Sequence, residues 1–298
     1  MPKPIRQCSD LTKFVNLRRC LDENLPTYKE FTGSSVTFAV LDTGVGHHSY
    51  LQHVFRVNCT SEKSGIDRDG HGTHVAGTLA ANGMQFTGLC PDATVVSIKV
   101  LDDSGRGNVK NIVKGLVTCY ENSIDIIVMS LGTRKYFPDM ESIIKKCYEK
   151  GMFIFAAAGN FEDGDLSTKD ILFPGRLRET ICVGATDGDN EVTHFSGKGR
   201  ELDFVAPGVN MWSTWPNEKF AQLSGTSQAT PVIAGIAGII LDRHRKKESK
   251  TPIKDQSDML AHLNFFAKDL GLSGKDPHSG RGLVNPLAGN WEKFKAMD

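Results

Sequence analysis

The stretch Leu223-Ser-Gly-Thr-Ser-Gln-Ala-Thr-Pro-Val-Ile-Ala-Gly-Ile-Ala-Gly-Ile-Ile-Leu241 decides the reading of this chain. Its opening, Gly225-Thr226-Ser227, has the composition of a tight turn. The apolar run behind it, rich in alanine and glycine, predicts a buried helix. Ser227 then stands at the helix start, near the positive end of the dipole. Backbone N–H groups there have no intrahelical acceptor and can hold an oxyanion. A serine so placed is a candidate nucleophile if a base reaches it. Taken alone, the same serine is more commonly an ordinary N-cap. The rest of the chain has to decide between the two.

Outward from this stretch, continuous apolar runs recur: Val36 to Asp42, Thr94 to Leu101, Ile124 to Ser130, Met152 to Ala158 and Ile181 to Ala185. Strands buried on both faces have this composition. Segments of helical period separate several of them, at 72–81, 109–121 and 140–150. The alternation predicts an α/β fold of three layers, α/β/α, doubly wound around a mostly parallel sheet. Residues 1–34 are polar and broken by Pro2, Pro4 and Pro26. They are expected to form an N-terminal strap or arm against one catalytic domain over 35–298.

Composition narrows the function. Of 298 residues, 39% are hydrophobic, enough for a sizeable core. Lys and Arg number 35, as do Asp and Glu, so the net charge is near zero. That balance argues against a nucleic-acid partner and against adhesion to a membrane by charge. The longest apolar run, Pro231 to Leu241, is too short to span a bilayer. The N-terminus has no apolar core of a secretory leader, so the chain is expected either to stay in the cell or to have lost its leader. Seven cysteines leave at least one unpaired, and no CxxC pair suggests zinc. Cys119, Cys147 and Cys182 fall on apolar faces and are expected to be buried as small hydrophobes.

Sites in open α/β sheets form at the carboxyl ends of the strands. Asp42 ends the first apolar run, Ser130 ends a second, and Asn160 follows a third, in Ala156-Ala-Ala-Gly-Asn160. A fourth group is Asp69-Gly-His71-Gly-Thr-His74-Val-Ala-Gly77. Its histidines are three apart, whereas the helical zinc motif spaces them by four with a glutamate beside the first. One catalytic base and one packed histidine is the preferred reading. The small residues after His71 would let that helix approach another element closely.

The order Asp, His, Ser is that of subtilisin, so it counts as a likeness and not as a derivation. Through Asp42-Thr-Gly44, His71-Gly-Thr-His74-Val-Ala-Gly77 and Gly225-Thr-Ser227 the sequence resembles the subtilase (subtilisin-like) serine proteases from about Val36 to Asn285. The run Lys99-Val-Leu-Asp-Asp-Ser-Gly-Arg-Gly107 places it nearer the proteinase K branch. The resemblance implies a serine endopeptidase, a hydrolase acting on protein or peptide substrates as a monomer, with no cofactor for catalysis. It implies Ser227 as nucleophile, His71 as base, Asp42 as its orienting acid and Asn160 as the oxyanion-hole amide. Gly105, Arg106 and Gly107, with Ser130, Leu131 and Gly132, would pair with an extended substrate. Ser130 to Gly132 and Ala157, Ala158 and Gly159 would wall the primary pocket, their small side chains leaving room for a large apolar residue, with some tolerance for basic ones. Three acids at 162, 163 and 165 follow Asn160 and are expected either to lie at the pocket rim and recruit Lys or Arg or, the commoner case, to form a solvated loop. The loop Asn82 to Gly88 is too short for the high-affinity calcium loop of subtilisin. Asp203 reads equally as the carboxylate of a weaker structural calcium site of the family, with backbone oxygens from around Glu179 and Ile181, and as a surface aspartate in a turn. Gln228 stands where many of the family carry methionine. The other reading is a binding or regulatory module on the same fold, catalytically silent or autoinhibited, with Leu25-Pro26-Thr27-Tyr28 occluding the cleft.

Overall fold

The computed structural model describes Arg18, Asp22 and residues 28–161, 170–247 and 253–284. Seven strands form one sheet: β1 (Thr37–Asp42), β2 (Val54–Asn58), β3 (Thr94–Lys99), β4 (Ile126–Met129), β5 (Phe153–Ala157), β6 (Ile181–Thr186) and β7 (Leu202–Pro207). Their order is β2-β3-β1-β4-β5-β6-β7, and every pairing is parallel. A separate antiparallel hairpin joins β8 (Met211–Trp215) to β9 (Lys219–Leu223). The helices are α1 (His71–Ala80), α2 (Val109–Glu121), α3 (Pro138–Glu149), α4 (Thr226–Lys247) and α5 (Gln256–Phe266).

The two-residue period of a strand sends neighbouring side chains to opposite faces, and this divides the core. From β1, Phe38 and Val40 join Val75 and Leu79 of α1 and Val232, Ile233 and Ile236 of α4. Ala39 and Leu41 join Ile112 and Leu116 of α2 and Ile143 and Ile144 of α3 on the other face. Helices therefore cover both faces, as the alternating sequence predicts. The switch in strand order falls at β1, which pairs β3 on one side and β4 on the other. Cys119, Cys147 and Cys182 are buried and free, as their apolar faces predict, and so are Cys59 and Cys90.

β2, β7, the hairpin strands β8 and β9, and α5 escape the sequence reading. β2 is a short edge strand, with burial too partial for a clear pattern. The hairpin turns at Asn217 and Glu218, both with positive φ. β7 lies within the stretch read for calcium. It pairs with β6 through a bulge: Cys182 faces Leu202 and Val183 faces Phe204, so Asp203 is the extra residue. Of the expected strap, the side chain of Arg18 is buried and donates to the carbonyls of Phe31 and Leu89, both at 2.8 Å. Tyr28 packs edge-on against Phe31 and Phe266 in the core, not over the cleft. Leu25, Pro26 and Thr27 lie outside the described residues.

Candidate active site

The carboxyl end of β1 carries Asp42, which is fully buried. Its Oδ1 accepts the N–H of Thr43 at 2.7 Å and meets Nδ1 of His71 at 2.8 Å. His71 is the first residue of α1. The helix reaches the strand end because it is small there: a Cβ on Gly72 would lie 2.2 Å from the carbonyl oxygen of Gly44. The next turns rest on the hairpin, where Thr214 and Ser213 donate to the carbonyls of Thr73 and His74 at 2.9 and 2.7 Å.

The two histidines sit in different surroundings. His74 is completely buried, and Nε2–H donates to the Met211 carbonyl at 2.9 Å. Burial pushes its pKa down to about 3, so it packs as a neutral ring. For His71 burial also opposes the charge. The Asp42 carboxylate, by its charge and its hydrogen bond, with Asp69 and Asp67 behind it, outweighs burial and raises the pKa to about 9.

Ser227 sits in the first turn of α4. Pro231 lies inside that helix and has no N–H to give the carbonyl four residues back. That carbonyl belongs to Ser227, and Ser130 Oγ–H donates to it at 2.8 Å. Ser227 Oγ–H donates in return to the Ser130 carbonyl at 3.1 Å. The pair ties the helix start to the end of β4 and fixes where the serine oxygen stands.

Asn160 follows β5. Its Oδ1 accepts both the N–H and the hydroxyl of Thr226, at 2.9 and 3.1 Å. The acceptor end is thereby occupied, and Nδ2 turns toward Gly225, where an added Cβ would come within 3.1 Å of it. A donor is left aimed at the mouth of the turn that carries Ser227.

Thr43, His71, Asn160 and Ser227 line one cleft of about 1220 Å³. Gly105, Gly107, Ser130, Leu131 and Gly132 line it too. Arg106 is exposed on the turn between Gly105 and Gly107, its N–H held by Asp102 Oδ1 at 2.9 Å. Ala157, Ala158 and Gly159 are buried beneath. The acids at 162, 163 and 165 lie outside the described residues.

Sequence reasoning missed the hairpin's share of the cleft: Trp212, Trp215 and Gln222 line it. It also missed Lys99. Its buried ammonium donates to the Thr43 carbonyl at 2.8 Å and to Asp103 at 2.9 Å, and pairs with Glu62 at 3.5 Å. A lysine at a strand end ordinarily reaches solvent, so nothing in the sequence marks this one as the peg behind Asp42.

The residues around Asp203 do not fit a calcium ion. Oδ1 pairs with Lys275 Nζ at 2.8 Å, and Oδ2 accepts the Cys182 N–H at 3.0 Å. The bulge displaces the ladder partner of Cys182, and the aspartate replaces it. The charge a cation would neutralise is already met by lysine. Among the described residues no group of three or more His, Cys, Asp or Glu could hold a metal, and no helix is long and apolar enough to cross a membrane.

The Subtilase family (Peptidase_S8) matches residues 33–275. Subtilisin Savinase of Lederbergia lenta is 38% identical over 260 residues, covering 86% of this chain and 91% of that protein. M-protease of Shouchella clausii is also 38% identical over 260 residues, which is 64% of its length. The major intracellular serine protease of Bacillus subtilis is 36% identical over 246 residues, covering 79% of this chain and 76% of its own. The chain belongs to the subtilase family and is a serine endopeptidase. These relatives are subtilisin-type enzymes, and the expected placement nearer the proteinase K branch is not supported.

Proposed function

We propose that the chain hydrolyses peptide bonds with Ser227 as nucleophile, His71 as general base and acid, and Asp42 as the group that holds the imidazole. The observation that carries this is the 2.8 Å contact of Asp42 with His71 Nδ1, which leaves Nε2 to face the cleft that Ser227 lines. Ser227 Oγ attacks the carbonyl carbon as Nε2 takes the hydroxyl proton. The tetrahedral oxyanion is met by Asn160 Nδ2 and the Ser227 N–H. His71 returns the proton to the leaving amine, and water then releases the acyl group by the same steps. The strand-like edges at 105–107 and 130–132 pair with the substrate backbone, a mode that tolerates many sequences. Every residue invoked comes from one chain, so this reading needs no second copy to complete the site. Covalent capture of Ser227 by a fluorophosphonate tests the assignment.

A base must be neutral to accept a proton, so kcat/KM is expected to rise as His71 deprotonates. The ascending limb should lie above the ordinary histidine value of 6.5, in the direction of 9. Stability runs the opposite way. A histidine with a raised folded pKa contributes stability that is fully present below the unfolded pKa near 6.5 and is lost as pH rises through about 9. Asp69→Asn removes one of the anions holding the proton and should move the limb to lower pH. A limb at or below 6.5 in the wild type would refute the electrostatic account.

Gln228 is buried and lines the cleft. It has no thioether, so the sulfoxide that would add an oxygen beside a nucleophile cannot form at this position. Gln228→Met is expected to lose activity faster than the wild type in dilute peroxide. Equal decay would mean that another sulfur dominates the damage, and mass spectrometry of the modified residues would identify it.

A further inference from the structure

α1 opens on His71, and the first N–H groups of a helix have no acceptor inside it. Its N-cap residue, Gly70, has no side chain to serve them. Three other residues do. Asp69 Oδ1 accepts the His71 N–H at 3.1 Å, Thr43 Oγ1 accepts the Gly72 N–H at 2.9 Å, and Asp67 Oδ2 accepts the Thr73 N–H at 3.0 Å. Asp67 does more than the other two. Its Oδ1 takes the N–H groups of Asp69 and Gly70, at 3.0 and 2.8 Å. Its Oδ2 also takes the Thr73 hydroxyl at 2.5 Å. Donors from before and after His71 thus converge on one carboxylate that is 2% exposed.

The same carboxylate is tied to the strand that carries Asp42. The Thr43 hydroxyl, which accepts from Gly72, donates to Asp67. The Thr73 hydroxyl, which donates to Asp67, accepts the Gly46 N–H at 2.8 Å. Thr43 and Gly46 belong to the segment that leaves β1 directly after Asp42. Asp67 itself does not line the cleft. The charged groups around it have other duties. Asp42 and Asp69 face His71, Lys99 donates to the Thr43 carbonyl, and Arg56 donates to the carbonyls of Val45 and Gly46. Arg68 turns outward to Asp103 at 3.8 Å, and His74 is neutral. The hairpin brings no charge here, only the Trp215 ring against Gly70.

We propose that Asp67 is a positioning residue for catalysis: it clamps the head of α1 to the end of β1, and so keeps His71 Nδ1 on Asp42 and Nε2 turned to the cleft. This rests on His71 acting as the base. Burying a charge is unfavourable, and burial raises the Asp67 pKa in spite of its donors. What the fold gains is a fixed separation between two segments that each carry one partner of the Asp42–His71 pair. An aspartate is needed because both of its oxygens accept. Asparagine turns one of them into a nitrogen with no lone pair to offer, and strands two donors in a buried site.

Asp67→Asn is therefore expected to lower kcat by about tenfold to a hundredfold with KM within a few-fold, the scale for a misplaced catalytic group. The limb of the pH profile should move to lower pH, since one anion near His71 is gone. Proton NMR reads the clamp without turnover. The Nδ1 proton that His71 shares with Asp42 gives a far-downfield resonance, which should shift or broaden in Asp67→Asn. Thr73→Val removes one donor and keeps the carboxylate. It should disturb the resonance and lower kcat less, and leave the limb in place. An unmoved resonance in folded Asp67→Asn overturns the inference whatever happens to kcat, and so does a kcat equal to that of the wild type. If Asp67→Asn does not fold, an unmoved resonance in Thr73→Val overturns it. Failure of fluorophosphonate to label Ser227 would remove the base assignment, while the resonance would still report whether Asp67 holds His71 against Asp42.

Discussion

Ser227→Ala is expected to abolish covalent capture of a fluorophosphonate and to lower kcat on the order of 10⁶, a magnitude carried over from subtilisin itself and not calculated for this chain. In the proposed mechanism the hydroxyl oxygen of Ser227 forms the acyl bond. Its place is set by the exchange of hydrogen bonds with Ser130, whose hydroxyl takes the carbonyl that Pro231 leaves unpaired. His71→Ala should eliminate labelling too, because among the described residues that line the cleft no other imidazole pairs with a buried carboxylate. The two losses should not add, since base and nucleophile act in one step. Labelling of the Ser227→Ala protein equal to that of the wild type, or no labelling of folded wild type, would defeat the assignment. What remained of the rate would come from the oxyanion donors and from substrate binding.

Asn160→Ala is expected to lower kcat by about 10²–10³ while leaving KM within a few-fold, again a magnitude known for the equivalent donor in subtilisin and not obtained from this structure. The split follows from when the charge exists. In the proposed mechanism Nδ2 meets a neutral carbonyl in the bound substrate and an oxyanion only in the transition state, so its contribution would belong to turnover. The orientation is enforced by Thr226, which occupies Oδ1 with two donors and leaves only the amide nitrogen for the cleft. Thr226→Val keeps the shape and the N–H but loses the hydroxyl, and should give a smaller kcat defect of the same kind. A rise in KM with kcat unchanged in Asn160→Ala would show that the amide binds ground-state substrate and is not an oxyanion donor.

Local chemistry determined much of this protein in advance. Apolar strands and amphipathic helices alternate along the chain, and that pattern alone predicts helices on both faces of a parallel sheet. Asp42, Asn160 and Ser130 stand at strand ends because a polar residue closes each apolar run, and Asp42 and Ser130 stay buried there with hydrogen-bond partners. His71 and Ser227 open helices because small residues and turns precede them. None of this needed contacts distant in sequence. What only the tertiary structure decided is how separate segments occupy one another's space. Lys99 is buried behind Asp42 because Thr43, Asp103 and Glu62 surround its ammonium, three partners contributed by three places in the chain. Asp203 serves a bulge and Lys275, and so is unavailable to calcium. Leu172 packs against both Gly132 and Gly159, two glycines far apart in sequence. Volume and charge compensation are properties of all the groups that converge on a point, and residues far apart in sequence converge only once the chain has folded.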